Sequence, residues 1–176
     1  MNFRSILKKS DAIVGLKKDI CALGRMSCLL RRKKIIKRYW AANEKKKLQI
    51  GCNISHLEGW LCSDKVPMSK NAIYLDATKK FPFDDKTFDY VYSEHMIEHI
   101  SWEGGSCMLR ECWRVLKPGG AIRIATPHLG VIIGLYGRNG DAFNERYIKW
   151  VTQKFLPGID VCLPSFVINN MFRNWG

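Results

Sequence analysis

Residues 75–127 constrain the fold more than any other part of the 176-residue chain. They contain two short apolar runs, residues 88–92 and 121–126, of the kind that form buried strands. An amphipathic segment lies between them and ends at the Lys-Pro-Gly-Gly sequence of residues 117–120, where proline and glycine favour a turn. This order predicts a β-α-turn-β unit of an open α/β sheet, a fold that binds ligands at the carboxyl ends of its strands.

Three further apolar runs precede this unit and predict three more strands, in residues 48–51, 60–64 and 72–76. The first run ends at Gly51, the second at Asp64 and the third at Asp76. Glycine lets backbone amides approach a ligand closely, and carboxylates accept hydrogen bonds from hydroxyl or amino groups. A glycine and two acids on consecutive strand ends therefore predict a ligand that contains a nucleoside.

A dinucleotide is disfavoured as that ligand. The phosphate-binding fingerprint Gly-x-Gly-x-x-Gly would follow the first strand. Residues 51–56 instead read Gly-Cys-Asn-Ile-Ser-His.

Positive charge is concentrated near the amino terminus. Residues 1–47 hold 15 Lys and Arg residues against three acidic ones, whereas residues 48–176 hold 14 against 13. Loose helical spacing in residues 3–42 predicts two or three short helices, and we divide the chain into a basic helical extension (1–47) and a domain (48–176). The basic stripe is expected to be a solvated helix face packed on the domain. Peripheral contact with an anionic membrane surface is the second interpretation, with nucleic-acid binding and substrate docking as further alternatives.

The seven cysteines form no Cys-x-x-Cys pair and no Cys/His cluster at zinc spacing, so no metal site is expected. Their odd number and the lack of a signal peptide favour reduced thiols and a cytoplasmic location. No window reaches the roughly 18 apolar residues of a membrane span.

Four segments within residues 48–127 together resemble the class I S-adenosylmethionine-dependent methyltransferases, especially small type 11-like members. The segments are LQIGCN (48–53), GWLCSD (59–64), LDATKKFPFDDKTFDYVYSEHMIEHI (75–100) and MLRECWRVLKPGGAIRIATP (108–127). The resemblance implies a Rossmann-like, mostly parallel sheet of about five strands in the order 3-2-1-4-5, flanked by helices. It also implies that the last two strands of the usual seven are missing, so the chain looks truncated at its carboxyl end.

The resemblance implies S-adenosylmethionine as cofactor and assigns residues to its parts. Asp64 would hold the ribose hydroxyls, and Asp76 with Ala77 the adenine. The methionine part would lie near the ends of the first and fourth strands, at Gly51, Cys52, Asn53, Ser93 and Glu94. Asn53 stands where the family usually has a second glycine, and asparagine tolerates left-handed backbone angles better than most residues.

A hydroxyl or protonated amine acceptor would require a general base. The candidates are Glu94, His95 and His128, and the neighbouring Glu98 and His99 are expected to brace the fold. The leading hypothesis is methyl transfer to a small-molecule or glycan-type acceptor. The alternative is an inactive methyltransferase-fold protein, or an interaction module with a basic arm.

Overall fold

The structure, a computed structural model, describes residues 29–137, 142–156 and 158–174. Its centre is one sheet of five parallel strands in the order β3-β2-β1-β4-β5. The strands are β1 (Lys47–Ile50), β2 (Leu61–Asp64), β3 (Ile73–Tyr74), β4 (Phe88–Glu94) and β5 (Leu116–Ala125). This confirms the expected Rossmann-like sheet and its strand order.

Helices precede, interrupt and follow the sheet. Residues 29–42 form α1, and a short 3-10 turn (Ile97–His99) leads into α2 (Trp102–Val115) between β4 and β5. The helices that follow the sheet are α3 (Leu129–Gly137), α4 (Ala142–Phe155) and α5 (Pro164–Asn174). Over the residues that the structure describes, no helix has the length and apolar character that a bilayer crossing requires.

One face of the sheet forms the main hydrophobic core. Leu48 lies beside Val91 in the register of β1 and β4, and both side chains are almost fully buried. Met108 and Cys112, on one stripe of α2, belong to the same buried cluster. Each large apolar side chain buried in this way contributes about 1.5 to 3 kcal/mol to folding, so α2 is firmly attached to the sheet.

Helix α1 packs on the same core and exposes its basic side. Ile35 and Tyr39 are buried within the main cluster, and the Tyr39 hydroxyl accepts a hydrogen bond from the backbone N–H of Lys47 at 2.8 Å. Lys33, Lys34 and Lys37 are exposed. The boundary between residues 47 and 48 stays a prediction, and what the sequence suggested for residues 1–28 lies outside the described residues.

The sequence 117–120, expected as a turn, is instead part of β5. Helix α2 ends at Val115 and the strand begins at the next residue, with a register shift opposite Phe88 and Tyr90. Gly119 has a φ of 78°, and the ammonium group of Lys117 donates to the Asp89 carboxylate at 2.9 Å. The register shift makes this run a β-bulge. The residues that end the helix thus also fit an irregular strand pairing.

The three carboxyl-terminal helices have a hydrophobic cluster of their own. It contains Ile132 and Leu135 from α3, Ile148 and Val151 from α4, and Val167 from α5. The segment after β5 is therefore mostly helical where the structure describes it.

Candidate functional site

The loop after β1 begins at a position that only glycine fits well. Gly51 has a φ of 72°, and a Cβ placed there would lie 2.6 Å from Cγ of Met96. The backbone N–H groups of Gly51 and Cys52 both donate to the carbonyl oxygen of Ser63, at 2.9 and 3.1 Å. The chain therefore turns sharply at the end of β1 while staying bonded to β2.

Asp64 joins this loop to the end of β2. Its Oδ2 accepts a hydrogen bond from the backbone N–H of Asn53 at 2.9 Å, and its Oδ1 accepts one from Val66 at 2.8 Å. Asn53 has a φ of 44°, the left-handed conformation expected to be tolerable for asparagine. Each carboxylate oxygen has a second lone pair, so a fixed Asp64 can still accept from a pair of hydroxyl groups.

Asp76 follows β3 and is held in a similar way. Its Oδ1 accepts hydrogen bonds from the Thr78 hydroxyl at 2.7 Å and from the Thr78 backbone N–H at 3.1 Å. Burial by itself would raise the pKa of Asp76. The Thr78 hydrogen bonds and the charges of Lys65 and Lys79 outweigh burial and hold that pKa below its usual value. Asp76 is therefore an ionised acceptor, and the neighbouring Ala77 is buried.

The end of β4 places one buried and one exposed polar side chain side by side. Ser93 is fully buried, and its hydroxyl has no hydrogen-bond partner among the described residues. Glu94 is exposed and accepts a hydrogen bond from the Tyr92 hydroxyl at 2.9 Å, which raises the pKa of that tyrosine. An unpaired buried hydroxyl costs free energy and is a reason to expect a polar group nearby.

Glu98 connects the ends of β4 and β5. Its Oε1 lies 3.2 Å from Nδ1 of His95, and its Oε2 accepts a hydrogen bond from the Thr126 hydroxyl at 3.1 Å. His95 has a φ of 49°, which turns the chain away from the strand. The Glu98 side chain is only 7% exposed, whereas that of His95 is 63% exposed. Glu98 thus braces the fold and also orients the His95 imidazole.

His128 has a local role at the start of α3. Its Nδ1 accepts a hydrogen bond from the backbone N–H of Val131 at 3.3 Å, and its carbonyl oxygen accepts from the same group at 3.0 Å. These contacts place an exposed imidazole at the beginning of the helix. Of the proposed bases, His95 is oriented by a carboxylate and His128 by its own helix.

The structure places every residue predicted for the cofactor at the carboxyl-end edge of the sheet. The first two strand ends are joined directly through Asn53 and Asp64. The fixed carboxylates of Asp64 and Asp76 and the unpaired Ser93 hydroxyl fit a nucleoside-bearing ligand with polar groups at both ends. The assignment of single residues to parts of that ligand stays a prediction.

A second group of side chains lies close by, and the sequence did not indicate it. Ligand atoms of Cys52, His56 and Cys62 all lie within 4.8 Å of one another. The neighbouring Cys52 thiol, with a further contribution from His56, holds the pKa of the Cys62 thiol below its usual value, and the pKa of Cys52 is raised in turn. The spacing of these three residues in the sequence matches no common zinc pattern. The two cysteines come together because β1 pairs with β2. The sequence holds no Cys/His cluster at zinc spacing, so this group is formed by the fold, and the expectation of no metal site stays a prediction.

Comparison with known proteins identifies the class. A sequence model of the methyltransferase domain family matches residues 24–124, which is more than half of the chain. The chain belongs to this family. No curated protein matches it significantly.

The solved structures that match this chain include the following two. A protein from Pyrococcus horikoshii is 22% identical over 64% of this chain and 59% of its own, with a TM-score of 0.42. The Haemonchus contortus phosphoethanolamine N-methyltransferase 2, in complex with phosphomonomethylethanolamine and S-adenosylhomocysteine, is 16% identical over 82% of this chain, with a TM-score of 0.38. The match covers 48% of that enzyme, so this chain spans about half to three fifths of these relatives.

Proposed function

We propose that this protein binds S-adenosylmethionine at the carboxyl-end edge of the sheet and transfers its methyl group to a small-molecule or glycan-type acceptor. The observation that supports this most directly is the fixed carboxylate of Asp64. It stands at the end of β2 with one oxygen bonded to the β1 loop and the other to Val66. This is where an acceptor for ribose hydroxyls is needed in a sheet of this strand order.

The bound cofactor would supply an electrophilic methyl group, so the protein's task is positioning and proton removal. Asp64 would hold the ribose and Asp76, with Ala77, the adenine. Gly51, Cys52 and Asn53 would border the methionine part, together with Ser93 and Glu94. Because Asp64 and Asp76 are fixed by backbone and hydroxyl groups, little side-chain entropy is lost when they bind a ligand.

His95 is the general base that the geometry favours. When the Glu98 carboxylate accepts the Nδ1 proton of His95, the other ring nitrogen, Nε2, is left with a free lone pair. That nitrogen can take a proton from an acceptor hydroxyl or amine. Glu94 and His128 remain the alternatives, but Glu94 is bonded to Tyr92 and His128 to its own helix.

Calorimetric titration of the full chain with S-adenosylhomocysteine tests the cofactor proposal. We expect one site per chain, and no comparable binding of adenosine diphosphate. A folded chain that shows no binding at millimolar ligand would overturn the proposal. Transfer of labelled methyl groups to a panel of monosaccharides and amino sugars then tests the acceptor class.

One observation favours a second function for the basic helix. Lys33, Lys34 and Lys37 are exposed on α1, which itself packs on the core. Such a stripe fits an anionic membrane surface, because each cation near the lipid contributes about 1 kcal/mol of binding free energy.

Changing the three lysines to glutamate should abolish sedimentation with vesicles that contain phosphatidylserine. The same change at three exposed lysines elsewhere, Lys70, Lys80 and Lys149, is the matched control. Equal losses in both variants would mean that net charge alone is responsible.

A further inference from the structure

We propose that Cys52, His56 and Cys62 form a binding site for one zinc ion, which fastens the loop between β1 and β2 to the sheet. The three ligand atoms lie within 4.8 Å of one another. In a tetrahedral zinc site, with Zn–S and Zn–N distances of about 2.3 and 2.1 Å, neighbouring ligand atoms are roughly 3.6 to 3.8 Å apart. Small rotations of the side chains are therefore enough to close the site around an ion.

The types of ligand atom select the metal. Two thiolate sulfurs and one imidazole nitrogen suit zinc, whereas calcium and magnesium require oxygen ligands. On binding, the two thiols release their protons to solvent, and the two thiolates balance the charge of the ion. The cluster in the described residues contains these three ligands only, so a water molecule would complete the tetrahedron.

Burial of the three side chains matches this role. Cys52 and Cys62 are 1% and 5% exposed, while His56 is exposed. The two cysteines pack with Ala72 in a small buried cluster of their own. An ion that enters from solvent can therefore be bound by the two sulfurs on its buried side and by the imidazole on its exposed side.

The loop is already positioned by a buried side chain that is not itself a ligand. The Gln49 amide donates to the carbonyl of Ser55 at 2.7 Å, and its oxygen accepts from the backbone N–H of Leu57 at 3.1 Å. The same oxygen lies 3.4 Å from the sulfur of Cys62. Gln49 thus bonds to the residues directly before and after His56 and contacts the sulfur of Cys62. Groups around a metal site orient its ligands in this way.

The loop contains no helix or strand that would hold it against the sheet. Residues 51–60 connect two parallel strands through turns, without the helix that usually makes this kind of connection. Cys52 follows the end of β1, Cys62 lies within β2, and His56 is in the middle of the loop. One ion at this point would link the loop to both strands.

Cobalt substitution tests the site in the full chain under reducing conditions. The other thiols outside the main core cluster are removed first, by the changes Cys21→Ser, Cys28→Ser, Cys107→Ser and Cys162→Ser in one parent chain. We expect this parent to bind one Co²⁺, with thiolate charge-transfer bands and the intense visible bands of tetrahedral cobalt. Added Zn²⁺ should displace the cobalt and raise the thermal midpoint of unfolding.

Variants of the three ligands are made in the same parent. Cys62→Ser and Cys52→Ser should each reduce the charge-transfer absorbance by half or more, because one of the two thiolates is lost, and His56→Ala should weaken Zn²⁺ binding at least tenfold. His99→Ala, which removes an imidazole outside the cluster, should leave binding unchanged. Far-ultraviolet circular dichroism confirms that each variant is folded. Charge-transfer bands of full intensity in Cys62→Ser, or a folded parent that binds no Co²⁺ or Zn²⁺, would overturn the proposal.

Discussion

The carboxylate of Asp64 accepts a hydrogen bond across 2.9 Å from the backbone N–H of Asn53, so the ends of β1 and β2 are joined where the cofactor is proposed to bind. This contact uses one lone pair of Oδ2 and aligns the side chain before any ligand arrives. The remaining lone pairs are available to hydroxyl groups.

Asp64→Asn should weaken binding of S-adenosylhomocysteine by roughly 10- to 100-fold, because a hydrogen bond to a charged group contributes about 1.5 to 3 kcal/mol. The size of the side chain is kept, and the fold should be retained. Isothermal titration calorimetry measures the change. The control is Asp84→Asn at an exposed position, which should bind like the wild type. Unchanged affinity in Asp64→Asn would remove Asp64 from the site.

Asn53→Val should destabilise the protein by about 1 to 2 kcal/mol relative to Asn53→Gly. The φ of 44° lies in the left-handed region, which is costly for a β-branched side chain and free of strain for glycine. The hydrogen bond to Asp64 comes from the backbone and is present in both variants. Urea unfolding measures the difference, and equal stabilities would show that the loop relaxes elsewhere.

Glu111→Gln should lower stability at neutral pH by about 1 to 3 kcal/mol. The Glu111 carboxylate accepts hydrogen bonds from Arg114 at 2.6 and 3.0 Å and from the backbone N–H of Phe81 at 2.7 Å. The pairing with Arg114 holds the pKa of Glu111 below its usual 4.5. A lowered pKa in the folded state means that the stabilisation is complete above the unfolded value and disappears as the pH falls through the folded one.

The difference between wild type and Glu111→Gln should therefore shrink below about pH 4.5. Denaturant unfolding at a series of pH values measures it. Glu58→Gln changes an exposed carboxylate and should alter stability by no more than about 0.5 kcal/mol. A difference that stays constant down to the acid limit would contradict the assigned role of the carboxylate charge.

Two glycine-to-alanine changes should have opposite signs. A Cβ at Gly120 would lie 2.9 Å from the carbonyl oxygen of Lys117 and 3.0 Å from that of Asp89, so Gly120→Ala should cost about 1 to 3 kcal/mol. A Cβ at Gly134, within α3, meets no described atom within 4 Å. Gly134→Ala should therefore raise stability by up to about 1 kcal/mol, from helix propensity alone. Thermal unfolding compares the two, and a neutral Gly120→Ala would mean that the bulge adjusts freely.

The strands were predictable because each is a short apolar run bounded by turn residues, and those signals are local. Their order followed from the resemblance to methyltransferases and not from the runs themselves. The group of Cys52, His56 and Cys62 could not be predicted in this way, since it depends on the register between two strands. A search for Cys and His residues near the ends of strands expected to be adjacent would have suggested it.

The β-bulge was missed for a related reason. Proline and two glycines fit a helix stop, a turn or an irregular strand equally well, and the pairing of Asp89 with Lys117 decides between them. That pair joins residues 28 positions apart, beyond the range of any local pattern. The bracing role expected for Glu98 was easier to foresee, because its partner His95 lies only three residues away in the sequence.

The bulge in β5 also changes the exposed edge of the sheet. Within the described sheet, β5 pairs with β4 alone, which leaves its other side as an edge that a second chain could extend. The first half of that edge is interrupted by Pro118 and the two following glycines, and Lys117 and Arg123 add positive charge along the strand. Irregular backbone, proline and charge are the features by which natural sheets discourage edge-to-edge pairing. The sequence that ends the helix therefore also makes this edge of the sheet a poor template for a second strand.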